Sequence, residues 1–134
     1  MIGPRPVKLT ARQEKEAYAA VTERDGGRCV RCGRFGTVQR DHRQGRNAYN
    51  TVPSNLQCLC PPCHLWRTDN FREAVVTGFA VSRHSRPELW PAWRVGVGWV
   101  QYFDTADENG NWWQAISQEM AEFIMSNGGR PDGD

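Results

Sequence analysis

The sequence lacks several features that would place it in a special class of protein. No apolar run approaches the roughly 18 residues that a membrane span needs, and the first ten residues, MIGPRPVKLT, lack the apolar centre of a secretory signal. No internal repeat is present, which argues against a solenoid. Lysine is nearly absent, being limited to Lys8 and Lys15. We therefore expect a cytoplasmic globular protein without membrane association, whose 134 residues suit one small domain with a short appendage.

The formal net charge of +2 hides an uneven distribution along the chain. Residues 1–23 carry +1, residues 24–72 carry +6 and residues 73–134 carry −5. Every basic group in the middle segment is arginine, the residue best suited to bidentate contact with phosphate. The base composition of the gene can explain the excess of arginine over lysine, but not its concentration in the middle. The distribution favours a polyanionic partner.

All five cysteines lie in the same basic segment, and four of them form two CxxC pairs. In a reducing compartment such pairs are typical of the two halves of a structural zinc site, here Cys29 and Cys32 with Cys60 and Cys63. A redox-active CxxC is the alternative, but it does not predict a second pair. Cys58 is the odd cysteine, and its apolar neighbours favour a buried structural role.

The residues between and just after the zinc half-sites include polar groups suited to catalysis: Asp41, His42, Asn55 and His64. Each has an ordinary explanation when taken alone. An Asp beside a His is usually a satisfied pair, Asn is common in turns, and His64 can replace a cysteine as the fourth zinc ligand. Imidazole, however, has a pKa of about 6.5, so a neutral histidine can act as a base near pH 7.

Taken in order, CVRC, DH and NLQCLCPPCH resemble the four-cysteine branch of the HNH endonucleases, over about residues 24–72. The resemblance implies a ββα-metal (His-Me finger) core, in which two strands and a helix hold one catalytic divalent cation. It implies that His42 is the general base and that Asp41 and His64 bind the ion, which can be Mg²⁺, Mn²⁺ or Ni²⁺. It also implies that Asn55 braces the loop behind the base.

The expected substrate is double-stranded DNA, cleaved to 5′-phosphate and 3′-hydroxyl ends. Our candidates for phosphate contacts are Arg43, Arg46, Arg67 and Arg72. Two departures from the family pattern concern these residues. Arg-Gln-Gly-Arg follows Asp-His where an apolar residue and a proline are common, and Arg67 stands where a lysine is common. Neither departure removes a chemical group, so activity is still expected.

The predicted fold class is α+β, with residues 1–76 forming an N-terminal helix and the nuclease core. A capping box formed by Thr10 and Gln13 and a Gly-Gly pair predict a helix over 10–25. Strands are expected over 37–42 and 55–59, and a helix over 61–76.

Residues 77–134 are predicted to form a small β plus helix extension packed on the core. Strands are expected over 78–83 and 94–103. Apolar residues at helical spacing predict a core-facing helical stripe of Trp113, Ile116, Met120, Phe123 and Ile124. A third histidine, His84, is expected to be exposed.

The extension is similar, more loosely, to that of small HNH proteins from actinobacterial phages. This similarity implies a phage-encoded protein that acts in the bacterial host cell, beside the DNA-packaging terminase or the portal. Two alternatives to an independent nuclease follow. One is a zinc-stapled DNA-binding module without catalysis, and the other is an accessory protein whose acidic tail docks on a packaging enzyme.

Overall fold

The computed structural model describes residues 7–128 and has a mixed α+β fold with two small antiparallel sheets, which confirms the predicted class. The predicted units 1–76 and 77–134 each include a terminal segment, 1–6 or 129–134, that lies outside the described residues. None of the helices within 7–128 combines the length and the hydropathy that crossing a membrane requires. The helices and strands are α1 (Ala11–Asp25), β1 (Gln39–His42), β2 (Leu56–Leu59), α2 (Pro61–Asp69), α3 (Phe71–Val76), β3 (Ala92–Arg94), β4 (Gly98–Tyr102), β5 (Trp113–Ala115) and α4 (Gln118–Ser126).

Helix α1 begins and ends where the sequence signals lie. The Oγ1 atom of Thr10 accepts a hydrogen bond from the backbone N–H of Gln13 at 3.1 Å, and Gln13 Oε1 accepts from the N–H of Thr10 at 2.9 Å. Gly26 ends the helix in the left-handed conformation, with φ of 64°. The buried face of α1 packs on β2, so the helix covers one side of the first sheet.

Strands β1 and β2 form an antiparallel pair that brings Asp41 opposite Gln57 and His42 opposite Leu56. Paired residues of antiparallel strands project from the same face, and neighbours along a strand project from opposite faces. Leu56 packs among the residues of α1, and the ring of His42 lies edge-on to Tyr18 of α1. Asp41 and Gln57 therefore point to the other face, toward α2.

The predicted helix over 61–76 is interrupted at Asn70, so α2 and α3 are separate helices. Asn70 has φ of −128° and ψ of 49°, outside the helical region. Its side-chain amide donates to the carbonyl oxygen of Trp66 at 2.9 Å, on the last turn of α2. A short amide side chain that bonds to the nearby backbone in this way competes with helix continuation.

The segment predicted as a strand over 78–83 is not a strand. The backbone N–H of Phe79 donates to Ala74 O at 2.8 Å, and that of Val81 donates to Arg43 O at 2.9 Å. The segment donates to α3 and to the loop after β1 rather than to a neighbouring strand, so no ladder forms. The strand predicted over 94–103 is instead a hairpin, because Gly96 adopts φ of 79° in the turn between β3 and β4.

The predicted apolar stripe of the C-terminal helix is also wrong. Trp113 belongs to β5, and α4 starts only after Ser117, whose Oγ accepts from the N–H of Met120 at 3.0 Å. On α4 itself, Met120 is 48% exposed and Phe123 is 63% exposed. The only residue of α4 that is fully buried is Ala121. The helical spacing of apolar residues therefore holds only within α4, where Met120 and Phe123 face the solvent.

Arg43 ties the loop after β1 to the C-terminal segment. Its side chain is fully buried, so the prediction that it contacts phosphate is wrong. Burial lowers the pKa of this guanidinium to about 10, which leaves it protonated at neutral pH. Its two terminal nitrogens donate at 2.8–3.3 Å to four carbonyl oxygens, those of Ser54, Pro87, Trp90 and Pro91.

Replacing Arg43 with Met is expected to lower the free energy of unfolding by about 3 kcal/mol, because several buried carbonyls lose their donor. Urea denaturation followed by circular dichroism measures this change. The matched control is Arg46→Met, which changes an exposed arginine three residues later and should shift the free energy by less than about 0.5 kcal/mol. Equal effects of the two substitutions would contradict the structural role of Arg43.

Candidate metal centre and histidine site

The sulfur atoms of Cys29, Cys32, Cys60 and Cys63 all lie within 4.8 Å of one another. Neighbouring sulfurs around a tetrahedral zinc ion, at about 2.3 Å from the metal, are roughly 3.8 Å apart. Cys32 and Cys60 approach this spacing, with 3.6 Å between their sulfurs. The cysteine cluster that the two CxxC pairs predict is confirmed, and it can hold a structural metal ion such as zinc. Cys58 lies outside it, in the cluster packed on α1.

The thiols of the cluster differ in pKa: backbone hydrogen bonds lower that of Cys29, whereas burial raises that of Cys60 and raises that of Cys63 to about 12. Burial acts to raise the pKa of Cys29, but hydrogen bonds from backbone N–H groups, those of Cys32 and Cys60 among them, bring it down to about 7. Arg31 Nη1 lies 3.5 Å from the sulfur of Cys63, and its guanidinium stacks 3.7 Å from the ring centre of Trp66. Four thiolates around a divalent ion carry a net charge of −2, which Arg31 partly offsets.

The carboxylate of Asp41 is almost fully buried, and its two oxygens have different partners. Oδ1 lies 2.9 Å from Nδ1 of His64, whose side chain is 40% exposed. Oδ2 lies 2.8 Å from Nε of Arg67 and accepts a hydrogen bond from Nε2 of Gln57 at 3.0 Å. Arg67 and Gln57 therefore contact Oδ2, while Oδ1 faces the partly exposed imidazole of His64.

The donor set of Asp41 and His64 fits a divalent cation. Neighbouring ligand atoms about 2.1 Å from an octahedral ion lie roughly 3 Å apart, close to the observed 2.9 Å. Within residues 7–128, no further Asp, Glu, His or Cys completes a three-ligand cluster here. Ions such as Mg²⁺ are commonly held by one or two protein ligands and take their other ligands from water and phosphate.

His42 is half-buried on the opposite face of β1. Its Nε2 lies 2.9 Å from Oγ1 of Thr51, a fully buried residue that fixes the plane of the ring. Burial, followed by the positive charge of Arg46, lowers the pKa of His42 below 6.5. The imidazole is therefore mainly neutral at pH 7, the form that can accept a proton.

Asn55 is fully buried and holds the loop that follows His42. Its Oδ1 accepts from the backbone N–H of Gln44 at 2.8 Å, and its Nδ2 donates to Asn50 O at 3.0 Å. Its own backbone carbonyl accepts from the N–H of Arg43 at 2.7 Å. The loop is thereby held at its start and at its end by one side chain and its backbone.

The four arginines predicted to contact phosphate lie in different surroundings. Arg46 is exposed, with a long contact of 3.4 Å to Glu14, and Arg72 is exposed on α3. Arg67 is mostly buried against Asp41. Only Arg46 and Arg72 therefore present free guanidinium surface, and Arg43 presents none.

Sequence reasoning missed two residues that contact the site, Gln57 and Thr51. Gln57 is a single amide in the otherwise apolar strand β2, and this is a signal that sequence alone could have offered. Thr51 gave no comparable signal, because it lies in a polar loop. Comparison of the chain with protein-family models, with curated proteins and with solved structures found no match.

Proposed function

We propose that this protein is a metal-dependent DNA endonuclease of the HNH type, with the hairpin β1–β2 and helix α2 as a ββα-metal core. One observation carries the proposal. Oδ1 of the buried Asp41 lies 2.9 Å from Nδ1 of the partly exposed His64. His42, which follows Asp41 in sequence, has a lowered pKa and is mainly neutral at pH 7. Two ligands for a divalent ion, and a neutral imidazole on the other face at the end of the same strand, are groups that hydrolysis of a phosphodiester can use.

The residues divide the chemistry between them. A divalent ion at Asp41 and His64 supplies positive charge and Lewis acidity toward the phosphate. In the tautomer that carries its proton on Nε2, 2.9 Å from Oγ1 of Thr51, His42 can take the proton from the attacking water at Nδ1. Asn55 keeps the loop behind His42 in place, so that the base does not need to reorganise during the reaction.

The metal held by the four cysteines has a structural role in this proposal, and zinc is the expected ion. It joins the 28–35 turn to the start of α2, which carries His64. Arg46 and Arg72, which are exposed, contact the phosphates of double-stranded DNA in this proposal. Arg67 pairs with the carboxylate of Asp41 at 2.8 Å and contributes positive charge near the same phosphate.

A second candidate is an accessory protein that docks on a partner such as a phage terminase or portal without cutting DNA by itself. The exposed apolar residues of α4, Met120 and Phe123, favour it, because they alternate with the acidic Glu119 and Glu122. The two functions are compatible in one chain, and activity of the purified protein distinguishes them.

The test is cleavage of supercoiled plasmid by the purified chain with Mg²⁺, Mn²⁺ or Ni²⁺. We expect nicked circles before linear DNA, no product without added ion, and 5′-phosphate with 3′-hydroxyl ends on mapping. Asp41→Asn should reduce the rate at least tenfold at the same ion concentration. No cleavage with any of the three ions would reject the nuclease and leave the accessory function.

A further inference from the structure

Gln57 connects the candidate ion site to the C-terminal segment through one buried amide group. The residue is fully buried in β2, opposite Asp41 in the sheet register. Its Nε2 donates to Oδ2 of Asp41 at 3.0 Å and to the backbone oxygen of Phe79 at 2.7 Å. Both partners are acceptors, so the orientation of the amide is fixed with its nitrogen toward them.

The carbonyl end of the same side chain makes no such contact: among residues 7–128, Oε1 of Gln57 is buried without a hydrogen-bond partner. A glutamine with only a packing role would satisfy both ends of its amide or be replaced by an apolar residue in this apolar strand. The position therefore needs an amide for its N–H donors, one of which bonds to Asp41.

We propose that Gln57 is a positioning residue, which orients the carboxylate of Asp41 and thereby sets the affinity of the Asp41–His64 site for its divalent ion. This inference rests on the proposed function. Gln57 and Arg67 both contact Oδ2, which leaves Oδ1 directed toward His64. The groups behind metal ligands commonly change ion affinity about 10–100-fold when they are removed.

The first experiment measures Mn²⁺ affinity without DNA, by electron paramagnetic resonance of the free ion, in the zinc-loaded protein. Gln57→Met keeps the side-chain length and removes the donor, and we expect Mn²⁺ to bind about tenfold more weakly. Cys58→Ala is the matched control, because it alters the next buried residue of β2 but faces α1. It should bind Mn²⁺ like the wild type. Wild-type affinity in Gln57→Met would overturn the proposal.

The second experiment needs no substitution and therefore does not depend on folding of the variant. The side-chain amide signals of Gln57 should shift in the nitrogen–proton NMR spectrum when Mg²⁺ is added. The amide of Gln101, which donates to Leu89 O at 2.9 Å, should not shift. Gln57 signals that do not respond to Mg²⁺ would also overturn the proposal.

Asp41→Asn separates failure of this inference from failure of the proposed function. If the wild type binds Mn²⁺ no better than Asp41→Asn, the ion site itself is absent and the nuclease proposal fails with it. If the wild type binds better and cleaves DNA, but Gln57→Met behaves as the wild type does, only the role of Gln57 is wrong.

Discussion

Removing the metal from the four-cysteine cluster is expected to unfold the protein. Structural zinc contributes apparent binding free energies of about 10–16 kcal/mol in zinc-finger peptides, while a whole domain is stable by about 5–15 kcal/mol. Around the cluster, Cys29, Cys60 and Cys63 are buried and belong to the larger apolar cluster. A metal held by these sulfurs would border the core, and its loss would also disturb packing there.

Cys60→Ser is the variant that tests this, because Cys60 joins β2 to α2. We expect one zinc per chain in the wild type by elemental analysis and less than one in Cys60→Ser. We also expect loss of the cooperative thermal transition in the variant. A chelator should have the same effect on the wild type.

Cys58→Ala is the control for the removal of a thiol. The thiol of Cys58 lies outside the cluster, and burial raises its pKa to about 12, so it is an unreactive group. The variant should keep its zinc and melt cooperatively. A chelated wild-type protein that keeps its fold would show that the cysteines are not a structural metal site.

Local sequence signals predicted the first half of the chain well. The Thr10–Gln13 capping box predicted the start of α1, because it involves residues close in sequence. The two CxxC pairs predicted the cysteine cluster, because four thiols that can share one metal ion must lie together. The hairpin also follows from local pattern. Gln39–His42 and Leu56–Leu59 are shorter than predicted, because a turn at Pro53–Asn55 takes the first residue of the second strand.

Tertiary contacts decided the rest. An arginine in a polar loop is expected at the surface, so nothing in the sequence indicates that Arg43 is buried. Its four carbonyl partners lie 11 to 48 residues away, and no local pattern predicts contacts at that separation. In the C-terminal half, a glycine turn and a helix N-cap determine where the strands and the helix begin and end. Gly96 turns one predicted strand into two, and Ser117 delays α4 past the first apolar residues of the predicted stripe.

Replacing His42 with Ala is expected to slow plasmid cleavage by about 10²–10⁴-fold, the usual contribution of a general base. The ring is fixed by Thr51 and lies on the α1 face, whereas Asp41 and His64 meet on the other. The substitution therefore removes the proposed base without removing a proposed ion ligand. Mn²⁺ affinity and zinc content should stay at wild-type values.

The chain supplies its own control for this experiment in His84, an exposed histidine whose ring accepts a hydrogen bond from Arg83. His84→Ala should cleave at the wild-type rate. The pair of variants separates loss of one particular imidazole from loss of any histidine. Cleavage by His42→Ala within a few-fold of wild type would mean that another group activates water. The role of base would then have to be reassigned, even if Asp41 and His64 still bind the ion.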